Sequence, residues 1–214
     1  MKTLREVDVT SRKHAAFLLA EKLLIHKNTD THVLAIPNGG APVGFWLAKQ
    51  LNLNFNLIPC RTITLPGKDL EIIGSISVDD VSIREDMEGI PQSFVYSQIQ
   101  MKKQEVENES AFYNAIKPGR NLKGLTVILV DDVLLHCDAV IASLRSIRKQ
   151  SPERVIVAIP FATENAATTI AKEADEFIYL YKDRYIQHAR ERAGLLPKIT
   201  RDGVKKLLMN CDLV

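Results

Sequence analysis

Apolar and polar positions along this chain follow two periods. Three short runs are continuously apolar and rich in β-branched residues: Val33-Leu34-Ala35-Ile36, Val127-Ile128-Leu129-Val130 and Val155-Ile156-Val157-Ala158-Ile159. Runs this short read as strands buried on both faces of a parallel sheet. Residues 55–60 and 177–181 read as two further strands. Between them the period changes to that of a helix. Residues 11–26 place Ala15, Leu19 and Leu23 beside Ala16, Ala20 and Leu24 on one broad face, behind Ser11 as N-cap. Helices are also predicted over 42–51, with Pro42 in the first turn, over 95–116, and from Val140 through Ile141, Leu144 and Ile147. Two more are predicted near 163–174 and 201–209, the latter capped by Thr200. Residues 61–71 read as a polar loop around Pro66-Gly67-Lys68-Asp69. Residues 72–78 alternate weakly, as an antiparallel or edge strand would.

Strands that alternate with helices predict an α/β fold with a mainly parallel sheet flanked by helices. The 214 residues suit one domain, with the segment 61–78 as its flexible loop. A net charge of +2 is too small to suggest the electrostatic footprint of a nucleic-acid binder. Cys60, Cys137 and Cys211 are odd in number and widely spaced, which points to neither a disulfide framework nor a zinc site and suggests the reducing cytoplasm. No apolar run is long enough to span a bilayer.

Candidate chemistry gathers where strands should end. Asp131 and Asp132 follow the apolar run 127–130 directly. Paired carboxylates there can hold ribose hydroxyls, or a Mg²⁺ ion ligated mostly by substrate phosphates and water; equally, one can cap a turn while the other is solvated. Asn38-Gly39-Gly40 separates a predicted strand from a predicted helix. Glycines in that place let backbone N–H groups approach an anion, or simply make a tight turn. The loop after Arg61 is either a lid or a surface connection. His136 and Cys137 lie in the central loop, where a thiol could be activated by a helix N-terminus.

Taken together these segments resemble the type I phosphoribosyltransferases, and more narrowly a bacterial group of predicted phosphoribosyltransferases of about this length. The resemblance rests on residues 127–132 followed by loop and helix, on Ile36-Pro37-Asn38-Gly39-Gly40-Ala41-Pro42-Val43, on 61–74, and on 155–160. It implies displacement at C1 of phosphoribosyl pyrophosphate (PRPP) by a nitrogen nucleophile, assisted by Mg²⁺. Asp131 and Asp132 would hold the ribose hydroxyls and, indirectly, the metal. Asn38, Gly39 and Gly40 would cradle pyrophosphate, Arg61 would begin the closing loop, and a homodimer is implied.

The chain departs from the family pattern where phosphate is bound. The expected Thr-Gly-x-Thr core is replaced within Val133-Leu134-Leu135-His136-Cys137-Asp138-Ala139. Asp138, at a helix start, would cap that helix and repel a phosphate; a protonated His136 would pull the other way. Asn38 stands in place of an arginine, and Arg61-Thr62 in place of Arg-Lys. Two readings result: a phosphoribosyltransferase with a degraded 5-phosphate loop, or a non-catalytic ligand-binding or regulatory protein that keeps the fold. A thiol hydrolase using Cys137 is a third.

Overall fold

In the computed structural model, which describes residues 9–66, 68–84, 88–185 and 199–210, five parallel strands form the central sheet. They are β1 (His32–Ala35), β2 (Asn54–Leu57), β6 (Thr126–Val130), β8 (Arg154–Ala158) and β10 (Glu176–Ile178), in the order β10-β8-β6-β1-β2. Every residue of β1 is buried, as are residues 127–130 and 155–158. Continuous apolar runs are what a sheet covered on both faces requires. One face carries α1 (Arg12–Lys22), α2 (Gly40–Leu51) and α6 (Arg201–Met209), with Leu19, Leu47, Leu51, Phe55 and Ile128 in its core. The other carries α4 (Asp138–Arg148) and α5 (Glu164–Glu173), packed around Leu129, Leu144, Ile147, Val157 and Ile170. Helix α1 is shorter than predicted. It gives way to a 3-10 turn at Leu24–His26, which leaves Leu24 exposed instead of on the buried face.

The expected loop 61–71 is a correction. Residues 61–65 and 68–71 lie in a three-stranded antiparallel sheet, β3 (Cys60–Leu65), β4 (Lys68–Ser77) and β5 (Asp80–Ile83), in which β4 is central and not an edge. Register shifts at Ile63–Thr64 and Thr64–Leu65 break the period-2 alternation, which is why the sequence there does not read as strand. Ile63, Ile73 and Ile76 bury their side chains with Val106 of the long helix α3 (Gln92–Ile116). This small sheet is tied to α4 by Asp79 N–H to Ser146 Oγ (3.2 Å) and by the Lys149–Asp80 ion pair (2.9 Å).

Past their carboxyl ends, β6, β8 and β10 break and resume as β7 (Val133–Leu134), β9 (Phe161–Thr163) and β11 (Tyr181–Asp183), a second parallel sheet. The predicted strand 177–181 is thereby split in two. Gly67 of the expected loop and Cys211 lie outside the described residues.

Candidate functional site

Parallel register sets the site. Ala35 pairs with Val130 across β1 and β6, so the chain leaves both strands at the same edge and the same height. Strand order diverges here: β1 leads to β2 on one side and β6 to β8 on the other. Such a switch point is where open α/β sheets bind ligands. The Pro37-to-Gly40 turn and the Asp131-Asp132 pair therefore face each other. Ile36 N–H donates to Val130 O (2.9 Å) and fixes their separation. Asn38 is exposed and adopts a left-handed φ of 69°, a conformation asparagine tolerates better than most residues.

Both glycines are required by contact. A Cβ on Gly39 would sit 2.3 Å from the carboxylate atoms of Asp132. A Cβ on Gly40 would sit 2.8 Å from Val130 O and from Asp131 Cα. Helix α2 starts at this point without a side-chain cap and without an acidic residue in its first turn. Its first N–H groups thus keep the positive dipole end open toward the acidic pair.

The two aspartates differ. Asp132 is buried, and its Oδ2 accepts hydrogen bonds from Arg12 Nε (3.0 Å) and Nη2 (2.7 Å). That ion pair is itself nearly buried, with Arg12 13% and Asp132 11% exposed at the side chain. Asp131 Oδ1 accepts from Asp132 N–H (2.8 Å). Burial, followed by the neighbouring Asp132 carboxylate, pushes Asp131 well above the ordinary carboxylate range; the Asp132 N–H and the Arg12 guanidinium pull less strongly the other way. Arg12 is the residue that sequence reasoning missed. It appears there only as the first residue of a helix, 120 positions from its partner.

The predicted phosphate loop divides. Val133 and Leu134 are strand residues paired with Phe161 and Ala162, and Leu134 is fully buried in the core. Leu135 O accepts from Thr163 Oγ1 (3.3 Å), Asp138 O from Ser75 Oγ (2.8 Å), and Ala139 O from the Cys60 thiol (3.4 Å). His136, Cys137 and Asp138 line a pocket of about 160 Å³ with Arg84, Asn165 and Thr169. Asp138 is the first residue of α4, but that helix has no side-chain cap, so the expected capping role is not taken up; the charge in the first turn is. Burial and then Asp138 raise the Cys137 thiol, the opposite of what a nucleophile needs. Arg61 turns to α3 instead: its guanidinium pairs with Glu105 (3.1 Å) and Glu109 (2.7 Å) and donates to Cys60 O (2.9 Å).

The resemblance implies a divalent ion that this pair holds only indirectly. As direct ligands the two carboxylates are poorly placed, because Arg12 already takes the charge of Asp132. Among the described residues no group of three or more His, Cys, Asp or Glu side chains could hold a metal.

An uncapped glycine turn thus faces a carboxylate pair at the switch point of a parallel sheet, the place where open α/β sheets bind ligands. A family model for the phosphoribosyl transferase domain matches residues 10–189, and the chain belongs to that family. Two Mycobacterium tuberculosis proteins, whose assignment as phosphoribosyl transferases is itself a prediction, are 25% identical over 174 residues, or 79% of this chain. The chain spans 39% of the length of these curated relatives. Among solved structures, TT1426 from Thermus thermophilus shares the fold with a TM-score of 0.76 at 22% identity, over 95% of this chain and 99% of that one. The AQ2163 protein from Aquifex aeolicus is similar with a TM-score of 0.50 at 14% identity, over 83% and 79%. Among the described residues no helix is long and apolar enough to cross a membrane.

Proposed function

We propose that this protein binds PRPP at the junction of Gly39-Gly40 with Asp131-Asp132 and transfers its phosphoribosyl group to a nitrogenous acceptor. The close approach of the two glycines to the two aspartates carries this reading. A diphosphate takes the open N–H groups at the start of α2, and the ribose hydroxyls donate to Asp132. In the reaction the C1–O bond to diphosphate breaks and a C1–N bond forms. The diphosphate leaves with the electron pair, and the proton of the attacking N–H passes to solvent. The dipole end of α2 stabilises the charge that builds on the leaving group. A homodimer belongs to this proposal.

Transfer is slow in this reading, because Asp138 places a negative charge in the first turn of α4, where the 5-phosphate of the ligand is expected to sit. The same observation supports a second reading, a binding protein without turnover. Pyrophosphate release, followed with PRPP and a panel of nitrogen bases, separates the two. Release that disappears in Asp132→Asn supports transfer. Tight PRPP binding with no release from any base supports the binding protein.

A further inference from the structure

We infer that Arg12 is the resident cation of the acidic pair, standing where relatives with a metal-assisted site would need a divalent ion, so that Asp131 and Asp132 serve a ligand without a protein-held metal. Three observations converge on it. Two of the three guanidinium nitrogens of Arg12, Nε and Nη2, donate to a single oxygen of Asp132, at 3.0 and 2.7 Å. The pair is nearly out of solvent, so its attraction is little screened and a competing ion must displace a buried charge. The carboxylate so occupied is the one against which Gly39 packs without room for a Cβ, so the ion pair lies directly beside the glycine turn.

The charge of Asp132 is then met by Arg12 without a metal.

The part of this inference that concerns the ligand rests on the phosphoribosyl reading; the part that concerns the cation does not. The test therefore begins with Mn²⁺ alone, titrated calorimetrically into the full chain and into Arg12→Gln and Arg12→Lys. Arg12→Gln should bind Mn²⁺ about tenfold or more tighter than the parent, and Arg12→Lys, which keeps the charge, should stay near the parent. Equal Mn²⁺ affinity in the parent and in Arg12→Gln overturns the inference. If Arg12→Gln does not fold, the comparison of the parent with Arg12→Lys decides in its place: the parent must show no saturable Mn²⁺ site, and a saturable site that Arg12→Lys retains overturns the inference. PRPP titrated into the parent with Mg²⁺ tests the ligand part separately: absence of PRPP binding sinks the phosphoribosyl reading, while the Mn²⁺ series still decides the role of Arg12.

Discussion

Gly40 and Asp138 carry opposite demands on the same kind of ligand. At Gly40 an added methyl meets Val130 O and Asp131 Cα, both backbone atoms that cannot turn aside. Gly40→Ala should therefore cost about 1–3 kcal/mol of stability, read as a lower denaturant midpoint, and should widen the gap between the two turns. At Asp138 a negative charge stands in the first turn of α4 and lines the small pocket with His136 and Arg84. Asp138→Asn keeps the shape and removes the charge. Affinity for ribose 5-phosphate should rise about fivefold by calorimetry, and an unchanged affinity would remove Asp138 from the phosphate account. The glycine turn, the acidic pair and the departure at 138 are legible in the chain because each is local. Arg12 is not, because its partner lies 120 residues away and only the packing of α1 on the sheet brings the two together.

The element that departs most from its expected form is the segment after β2. Strands β3, β4 and β5 stand where a loop was expected, and Ile63, Ile73 and Ile76 are committed to a core with Val106. Arg61 bridges β3 to α3 through Glu105 and Glu109, and Glu109 is only 9% exposed at the side chain. Arg61→Ala would strand that buried carboxylate, and a loss of about 2–3 kcal/mol is expected in chemical denaturation. Because the guanidinium points at α3, PRPP affinity should change by less than about threefold; a loss of about tenfold would restore Arg61 to the ligand site. The hairpin escapes a reading of period because two bulges interrupt its alternation and Pro66-Gly67 mimics a loop centre. The central strands were readable for the opposite reason, since burial on both faces leaves uninterrupted apolar runs at 127–130 and 155–158.

Over the whole molecule, the edge of the sheet opposite the site holds a titratable weak point. His32 opens β1, is 1% exposed, and has its basicity lowered to about 4 by burial and then by the charge of Arg120. The folded state binds no proton there until the pH approaches 4, whereas the unfolded chain binds one near 6.5. Protonation therefore favours unfolding across that window. His32 should remove about 3 kcal/mol of stability between pH 6.5 and 4, with no further loss below. His32→Gln should flatten this part of the stability-against-pH curve, measured by denaturant unfolding. The acidic pair lies at the other edge, where β1 and β6 end together.

The central claim, that the turn at Gly39-Gly40 and the carboxylates at Asp131-Asp132 form one phosphoribosyl site, is tested most directly by calorimetric titration of the full chain with PRPP. Ribose 5-phosphate and AMP serve as comparators, and Asp132→Asn is run in parallel. Micromolar binding of PRPP, weaker binding of ribose 5-phosphate and AMP, and a loss of about tenfold or more in Asp132→Asn are the expected result. No heat with any of the three ligands, or PRPP binding indifferent to Asp132→Asn, would contradict it.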